Sequence, residues 1–353
     1  MNVGILTSGG DCQALNAAMR GVAKALFHKC KDVSITGIED GYKGLIYGKY
    51  RQMQKDDFSG ILTLGGTILG TAREPFKRIR QPDENGIDKV KSMIKCYKDL
   101  SLDYLVVLGG NGSIKTANLL SACGLKVIAL PKTIDNDIYG TDMTFGFMSA
   151  VEVATEAVDN IHTTAASHSR VFVVEVMGHK TGHLALNSGI AGGADIILIP
   201  EIPYRIEEVI KKIEEREEEG RHFTIIVAAE GAVSESDKFR SKKEMKERRS
   251  KTPVSFELAA QIRLMSGKDV RVTIPGHTQR GGVPCPEDRI LATRLGSAAA
   301  DFMISGKTGI MAAIVNGKIT AVPLDEVAGK LKTVDVLSDE ILEAKSLGIS
   351  FGE

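Results

Sequence analysis

No charge of one sign predominates in this sequence. Lysine plus arginine and aspartate plus glutamate number 45 each, so nothing global draws the chain to nucleic acid or to an anionic membrane, and any basic site must be local. Cysteine is scarce. The five thiols (Cys12, Cys30, Cys96, Cys123 and Cys285) are odd in number, scattered and without a C-x-x-C pair, which speaks against a disulfide framework and for reduced thiols. No run approaches the ~18 apolar residues of a membrane span. The opening "MNVGILTSGG" is a strand entering a glycine turn, with no basic stretch and signal core. A cytoplasmic protein with no membrane and no nucleic-acid partner is expected. Two nucleotide fingerprints are missing as well, G-x-G-x-x-G and G-x-x-x-x-G-K-[ST], so a nicotinamide-dependent dehydrogenase and a P-loop enzyme lose their support.

What the chain does have is length and rhythm. Its 353 residues suggest about two domains, and at 43% hydrophobic they suffice for a sizeable core. Short apolar runs ending in glycine recur, each followed by a helical pattern. "VGILT" leads through "SGGD" into "ALNAAMRGVAKALF", and "YLVVLGG" into "NGSIKTANLLSA". "KVIAL", "RVFVVEV", "DIILIP", "FTIIVAAEG" and "VRVTIPG" read as further strands. Continuous β-branched runs suit strands buried on both faces, and their alternation with helices implies parallel sheets. The expected class is α/β, as two unequal Rossmann-like three-layer α/β/α domains with mostly parallel sheets. Ligands then bind at the carboxyl ends of strands. The charge-rich segment Ser234–Thr252 breaks the composition and reads as an exposed helix or a partner-facing arm.

Three glycine turns follow strands: Thr7–Asp11, Leu64–Thr67 and Leu108–Ser113. Glycine lets a ligand approach the main chain, and free N–H groups at a helix start attract phosphate. Arg73 in "LGTAREPFKR" adds a cation. "PKTIDND", Pro131–Asp137, gathers Asp135 and Asp137 at a strand end beside Lys132. Phosphoryl transfer needs a base for the attacking hydroxyl and cations for the moving charge. The same residues would serve a structural Asx turn. Arg170 in "SHSR", with Arg271, His277 and Arg280 in "VRVTIPGHTQRGG", offers guanidinium forks suited to a phosphomonoester. His179 and His183, four apart, lack the third ligand of a zinc site.

The ordered succession "ILTSGGD…LNAAMRG", "DGYKGL", "LGGTILGTAR", "LGGNGS", "PKTIDND", "SHSRVFVVEVMG", "GIAGGAD" and "GHTQRGG" resembles the 6-phosphofructokinases, from about residue 2 to about residue 300. The resemblance implies transfer of the terminal phosphoryl of ATP, with Mg²⁺, to the 1-hydroxyl of fructose 6-phosphate. It implies Asp135 as base, with Thr133, Asp137 and Lys132 around it. Gly10, Tyr42, Arg73, Gly110, Gly112 and Ser113 match donor-site positions. Thr133, Met177, Gly178, Glu230, His277 and Arg280 match the sugar-phosphate pocket. Arg170 and Arg271 match residues that reach from a neighbouring subunit, hence a homo-oligomer, typically a tetramer, with shared active sites. Residues 1–146 with 265–315 would form a larger donor-binding domain, and 147–264 with 316–353 a smaller sugar-phosphate domain. The chain would cross between them more than once, since "PKTIDND" and "GHTQRGG" must face one cleft.

Three departures from the family pattern carry expectations. Asn111 stands where an acidic Mg²⁺ ligand is usual, leaving Asn111 and Asp137 as the candidate metal contacts; a catalytically idle sugar-phosphate-binding subunit is the reading of another class that this suggests. His179 stands where arginine is common. Gly112 stands where pyrophosphate-using members carry aspartate, which favours ATP, whereas Lys132 is typical of the pyrophosphate branch. The absent side chain permits what an added one forbids, so ATP is the expected donor and pyrophosphate the alternative. Arg20 and Lys24 match a bacterial effector site, but His162 replaces an arginine there, so no effector control is assumed.

Overall fold

The computed structural model describes residues 1–353, the side chains of Lys242, Met245 and Lys246 excepted. In chain order the strands are β1 (Asn2–Ser8), β2 (Ser34–Ile38), β3 (Tyr50–Met53), β4 (Tyr104–Gly109), β5 (Val127–Pro131), β6 (Val171–Val176), β7 (Ile196–Leu198), β8 (Thr224–Ala229), β9 (Val270–Thr273), β10 (Ile310–Val315) and β11 (Lys318–Pro323). The helices that matter for the site are α1 (Leu15–Lys29), α2 (Asn111–Ala122), α3 (Phe147–Ser167), α4 (His183–Ala191), α5 (Lys242–Lys251) and α6 (Pro286–Ile304).

By its internal packing the chain divides into two compact units. Met1–Ile134, Ile138–Ser149 and Arg280–Lys332 make the first; Asp135–Asp137, Ala150–Gln279 and Thr333–Glu353 make the second. Both are α/β with mostly parallel sheets, as the run-and-helix rhythm implies.

The first unit carries a seven-stranded sheet in the order β11-β10-β5-β4-β1-β2-β3. Its five inner strands are mutually parallel, and β3 and β11 close the two edges antiparallel. The runs read as doubly buried are so: every residue of β4 and of β5 is buried. From β1 the chain goes to β2 on one side, and β4 is added on the other. Such a reversal of strand order opens a crevice at the carboxyl ends, here where Ser8 pairs with Gly109. Against one face α1 packs on α6 with glycines at the crossing. A Cβ on Gly296 would stand 2.3 Å from the Ala18 carbonyl oxygen, and one on Gly21 2.7 Å from that of Thr293. Only hydrogen fits between these backbones.

The second unit holds a four-stranded parallel sheet, β7-β8-β6-β9. Val173, Leu198, Ile226 and Ile262 belong to its core. Because β9 pairs with β6, residues 265–279 stay with this unit. The β10–β11 hairpin keeps 316–332 with the first. The boundaries set above at 265 and 316 therefore shift to 280 and 333. Among the described residues, no helix is long and apolar enough to cross a membrane.

Candidate active site

In the first unit the loop after β1 gathers cations. A Cβ placed on Gly10 would lie 2.9 Å from Arg280 Nη1 and 3.6 Å from Arg73 Nη2. Lys132 Nζ donates to the Gly10 carbonyl, and Arg280 Nη1 donates to that of Asp11 at 2.9 Å. The Arg73 segment is held alongside: the Gly9 N–H donates to Ala72 at 3.2 Å and Thr71 Oγ1 to Gly9 at 2.8 Å. Among the described residues neither Arg73 nor Arg280 meets a carboxylate, and Arg280 Nε is buried without a partner. Arg280, held by a carbonyl dipole, keeps its charge for an anion, which a paired guanidinium does not.

The neighbouring loop, after β4, starts α2. Gly110 is its N-cap and offers no side chain to the first turn, so those N–H groups are available to a phosphate. Ser113 Oγ donates to Ser8 Oγ at 3.0 Å, fastening this loop to the one after β1. Tyr42 does not face outward. It is 1% exposed, its hydroxyl donates to the Ser113 carbonyl at 2.8 Å, and burial pushes its phenol well above the ordinary range. It therefore positions the α2 turn and has no proton left for a ligand. A Cβ on Gly112 would meet nothing within 4 Å. Asn111 Nδ2 donates to the Lys330 carbonyl at 2.8 Å, leaving the amide oxygen as the group it can offer a metal.

"PKTIDND" begins where β5 ends. Lys132 is 3% exposed and forms a lone bridge with Phe145. Thr144 Oγ1 donates to the Thr133 carbonyl at 2.9 Å. Asn136 adopts φ 50°, the left-handed conformation that asparagine tolerates better than most residues. That explains the asparagine between two aspartates: the chain turns on it. Asp137 is buried and Asp135 partly exposed. In the second unit Thr181 Oγ1 donates to the Asp135 carbonyl at 3.2 Å.

Of the remaining second-unit candidates, Met177, Gly178, Glu230 and His277 follow β6, β8 and β9, whereas Arg170 precedes β6 and Arg271 lies within β9. The Met177 N–H donates to Gln279 Oε1 at 3.2 Å. Gly178 has φ 137°, and a Cβ there would stand 2.7 Å from the Thr181 carbonyl oxygen, so the position requires glycine. The His179 N–H donates to Glu230 Oε1 at 2.8 Å. Arg170 and Arg271 both pair with Asp269, each at 2.7 Å. His277 is exposed. Arg280, grouped by resemblance with these residues, lies in the first unit, among Arg73, Lys132 and Gly10.

His179 precedes α4 in a left-handed conformation, so it shares no helix face with His183. Among the described residues no three His, Cys, Asp or Glu side chains gather to hold a metal. At the position of the missing effector arginine, His162 Nε2 is engaged with the Gly192 carbonyl at 2.7 Å. Three residues given no role from sequence take part here: Gln279, Asp269 and Arg249, whose guanidinium donates to the Glu230 and Ala232 carbonyls. Arg249 lies in the charge-rich segment, where nothing in the sequence separates it from solvated neighbours.

The phosphofructokinase family model matches residues 2–303. The ATP-dependent 6-phosphofructokinase of Spirochaeta thermophila is 54% identical, over 99% of this chain and 97% of its own. The ATP-dependent 6-phosphofructokinase of Propionibacterium freudenreichii subsp. shermanii is 45% identical over 100% of both. Among solved structures, Pichia pastoris phosphofructokinase in the T-state aligns with a TM-score of 0.78 at 36% identity, over 93% of this chain and 35% of the Pichia chain. A pyrophosphate-dependent phosphofructokinase from Marinobacter aquaeolei reaches a TM-score of 0.80 at 23% identity, over 99% and 91%, a likeness of fold.

Proposed function

The chain belongs to the phosphofructokinase family, and from that premise we propose that it transfers the terminal phosphoryl group of MgATP to the 1-hydroxyl of fructose 6-phosphate, giving fructose 1,6-bisphosphate and ADP. The observation that carries this reading is the meeting of Arg73, Lys132 and Arg280 at the Gly10 loop. Three cations around one backbone turn suit the terminal phosphates of a nucleotide. The first unit is thus the donor side, with the Gly110 N-cap and the Ser113 loop completing it. The open space at Gly112 leaves room for the α-phosphate that pyrophosphate lacks, which supports ATP as donor.

The second unit is the acceptor side. Met177, Gly178, Glu230 and His277 are assigned to the sugar phosphate, and Arg170 and Arg271 to the sugar phosphate of a neighbouring copy, which makes the active enzyme a homo-oligomer. Asp135 takes the proton from the 1-hydroxyl as that oxygen forms its bond to the γ-phosphorus. The bond from phosphorus to the bridging oxygen breaks, and the positive loop steadies the charge left on ADP. Thr133 and Lys132 fix the approach to that strand end. Mg²⁺ enters as part of the donor. It characteristically takes one or two carboxylates plus substrate phosphates, which fits a chain with no clustered metal cage among its described residues. Asp137 would supply its carboxylate, and Asn111 an amide oxygen. When bound, the metal neutralises phosphate charge.

The test is fructose 1,6-bisphosphate formation from fructose 6-phosphate and Mg²⁺ with ATP or pyrophosphate. Turnover with ATP alone is expected. Turnover with pyrophosphate alone would overturn the donor, and silence with both would overturn the enzyme. Asp135→Ala should lose about 10²–10⁴-fold in kcat while fructose 6-phosphate still binds by calorimetry.

A further inference from the structure

The charge-rich segment read as an exposed helix or a partner-facing arm is fastened down at two arginines. Arg248 pairs with Asp237 at 2.5 Å and with Glu257 at 2.7 Å, which fixes α5 against its own unit. The next residue, Arg249, turns its guanidinium the other way. Nη1 donates to the Glu230 carbonyl and Nη2 to that of Ala232, so one fork joins the carbonyls of the two residues that flank Gly231. That loop in turn holds another. The Glu230 carboxylate accepts the His179 N–H at 2.8 Å, and a Cβ on Gly231 would stand 2.5 Å from the His179 carbonyl oxygen. The loops after β6 and β8 thus touch backbone to backbone, and Arg249 braces their outer member.

We infer that Arg249 is a positioning residue for sugar-phosphate binding and that α5 is the strap that carries it. The inference rests on the acceptor-side assignment of Met177, Gly178 and Glu230 made above. A guanidinium can bridge two carbonyls at a fixed angle because its donors are planar and forked; an ammonium is a point donor and cannot. With the fork gone, the Glu230 peptide is free to rotate, and the carboxylate that holds His179 moves with it. Arg249 and the two loops it ties together all lie in the second unit. Its loss should therefore show in one substrate constant only.

The experiment compares Arg249→Lys and Arg249→Ala with wild type, varying fructose 6-phosphate and MgATP separately. Both variants should raise the KM for fructose 6-phosphate by about tenfold, the size of one lost charge-assisted hydrogen bond. The kcat and the KM for MgATP should stay within about twofold. Lysine should not rescue, whereas millimolar guanidinium chloride should lower the KM of Arg249→Ala back toward wild type. Hydrogen exchange is read in parallel on Arg249→Lys, where amides of residues 177–183 and 229–233 should exchange faster than in wild type and the rest of the chain should not. An unchanged KM, or a fall in kcat with both KM values rising and exchange quickened throughout, would overturn the inference. Absence of turnover in wild type would instead overturn the proposed function, and the exchange pattern would still decide whether Arg249 braces the two loops.

Discussion

The Asn111 amide nitrogen donates to the Lys330 carbonyl at 2.8 Å. An aspartate at this place has two acceptors and no donor, so it would meet that carbonyl with repulsion. Asn111→Asp should therefore cost at most about 1 kcal/mol of stability, the lost hydrogen bond less the gain at the positive end of α2, and bring no large gain in turnover, measured by urea midpoint and by kcat. A jump from silence to activity would instead mark the asparagine as the loss that idled the enzyme.

Gly112 stands in the first turn of α2 with open space where a Cβ would be. Aspartate there suits the positive end of the helix by about 0.3–1 kcal/mol, so Gly112→Asp should fold at least as stably as wild type. The same carboxylate occupies the room assigned to the α-phosphate and repels it. We expect kcat/KM for ATP to fall by about tenfold or more, the effect of 1.4 kcal/mol or more in conflict, with the thermal midpoint unmoved.

Asp269 engages both Arg170 and Arg271, so a sugar phosphate bound by these arginines must compete with it. The three side chains are 31% to 51% exposed, and exposed pairs are weak. Asp269→Ala should lower the KM for fructose 6-phosphate by about threefold at most. A rise in KM would mean that Asp269 orients the arginines and does not compete for them.

Burial pushes the Cys12 thiol from 9.0 up to about 12. The folded protein holds that proton more tightly than the unfolded chain, so the contribution is intact below pH 9 and is lost as pH rises from 9 toward 12. Stability should fall across that window by at most about 1.4 kcal/mol per pH unit from this group. Cys12→Ala should flatten the slope, read from urea unfolding at pH 8, 9 and 10.

The parallel strands were legible because doubly buried strands are continuously apolar, as β4 and β5 are. The β10–β11 hairpin was passed over, although Asn316-Gly317, at φ 50° and 74°, is a turn that asparagine and glycine favour. A search for strand–glycine–helix units does not find it. Of the candidate site, the glycine loops and "PKTIDND" stand out because their residue types are chemically unusual at strand ends. Tyr42 was legible as a position and not as a contact, since only packing reveals that its hydroxyl is consumed by Ser113. Arg249 and Asp269 were invisible. A charged residue looks the same in sequence whether it faces water or a pair of carbonyls.

The first unit is made of pieces that lie on both sides of 150–279 in the chain. Ile128 of β5 is paired with Ile310 of β10, and α1 rests on the glycine of α6. A ribosome therefore completes the whole of 150–279 before it supplies the strands and helix that finish the sheet begun at the amino terminus. For that interval β5 is a bare edge, ready to pair with whatever strand comes first. The nascent chain is open to misassembly from the completion of β5 until β10 (Ile310–Val315) is supplied, and a pause within that stretch would lengthen the exposure.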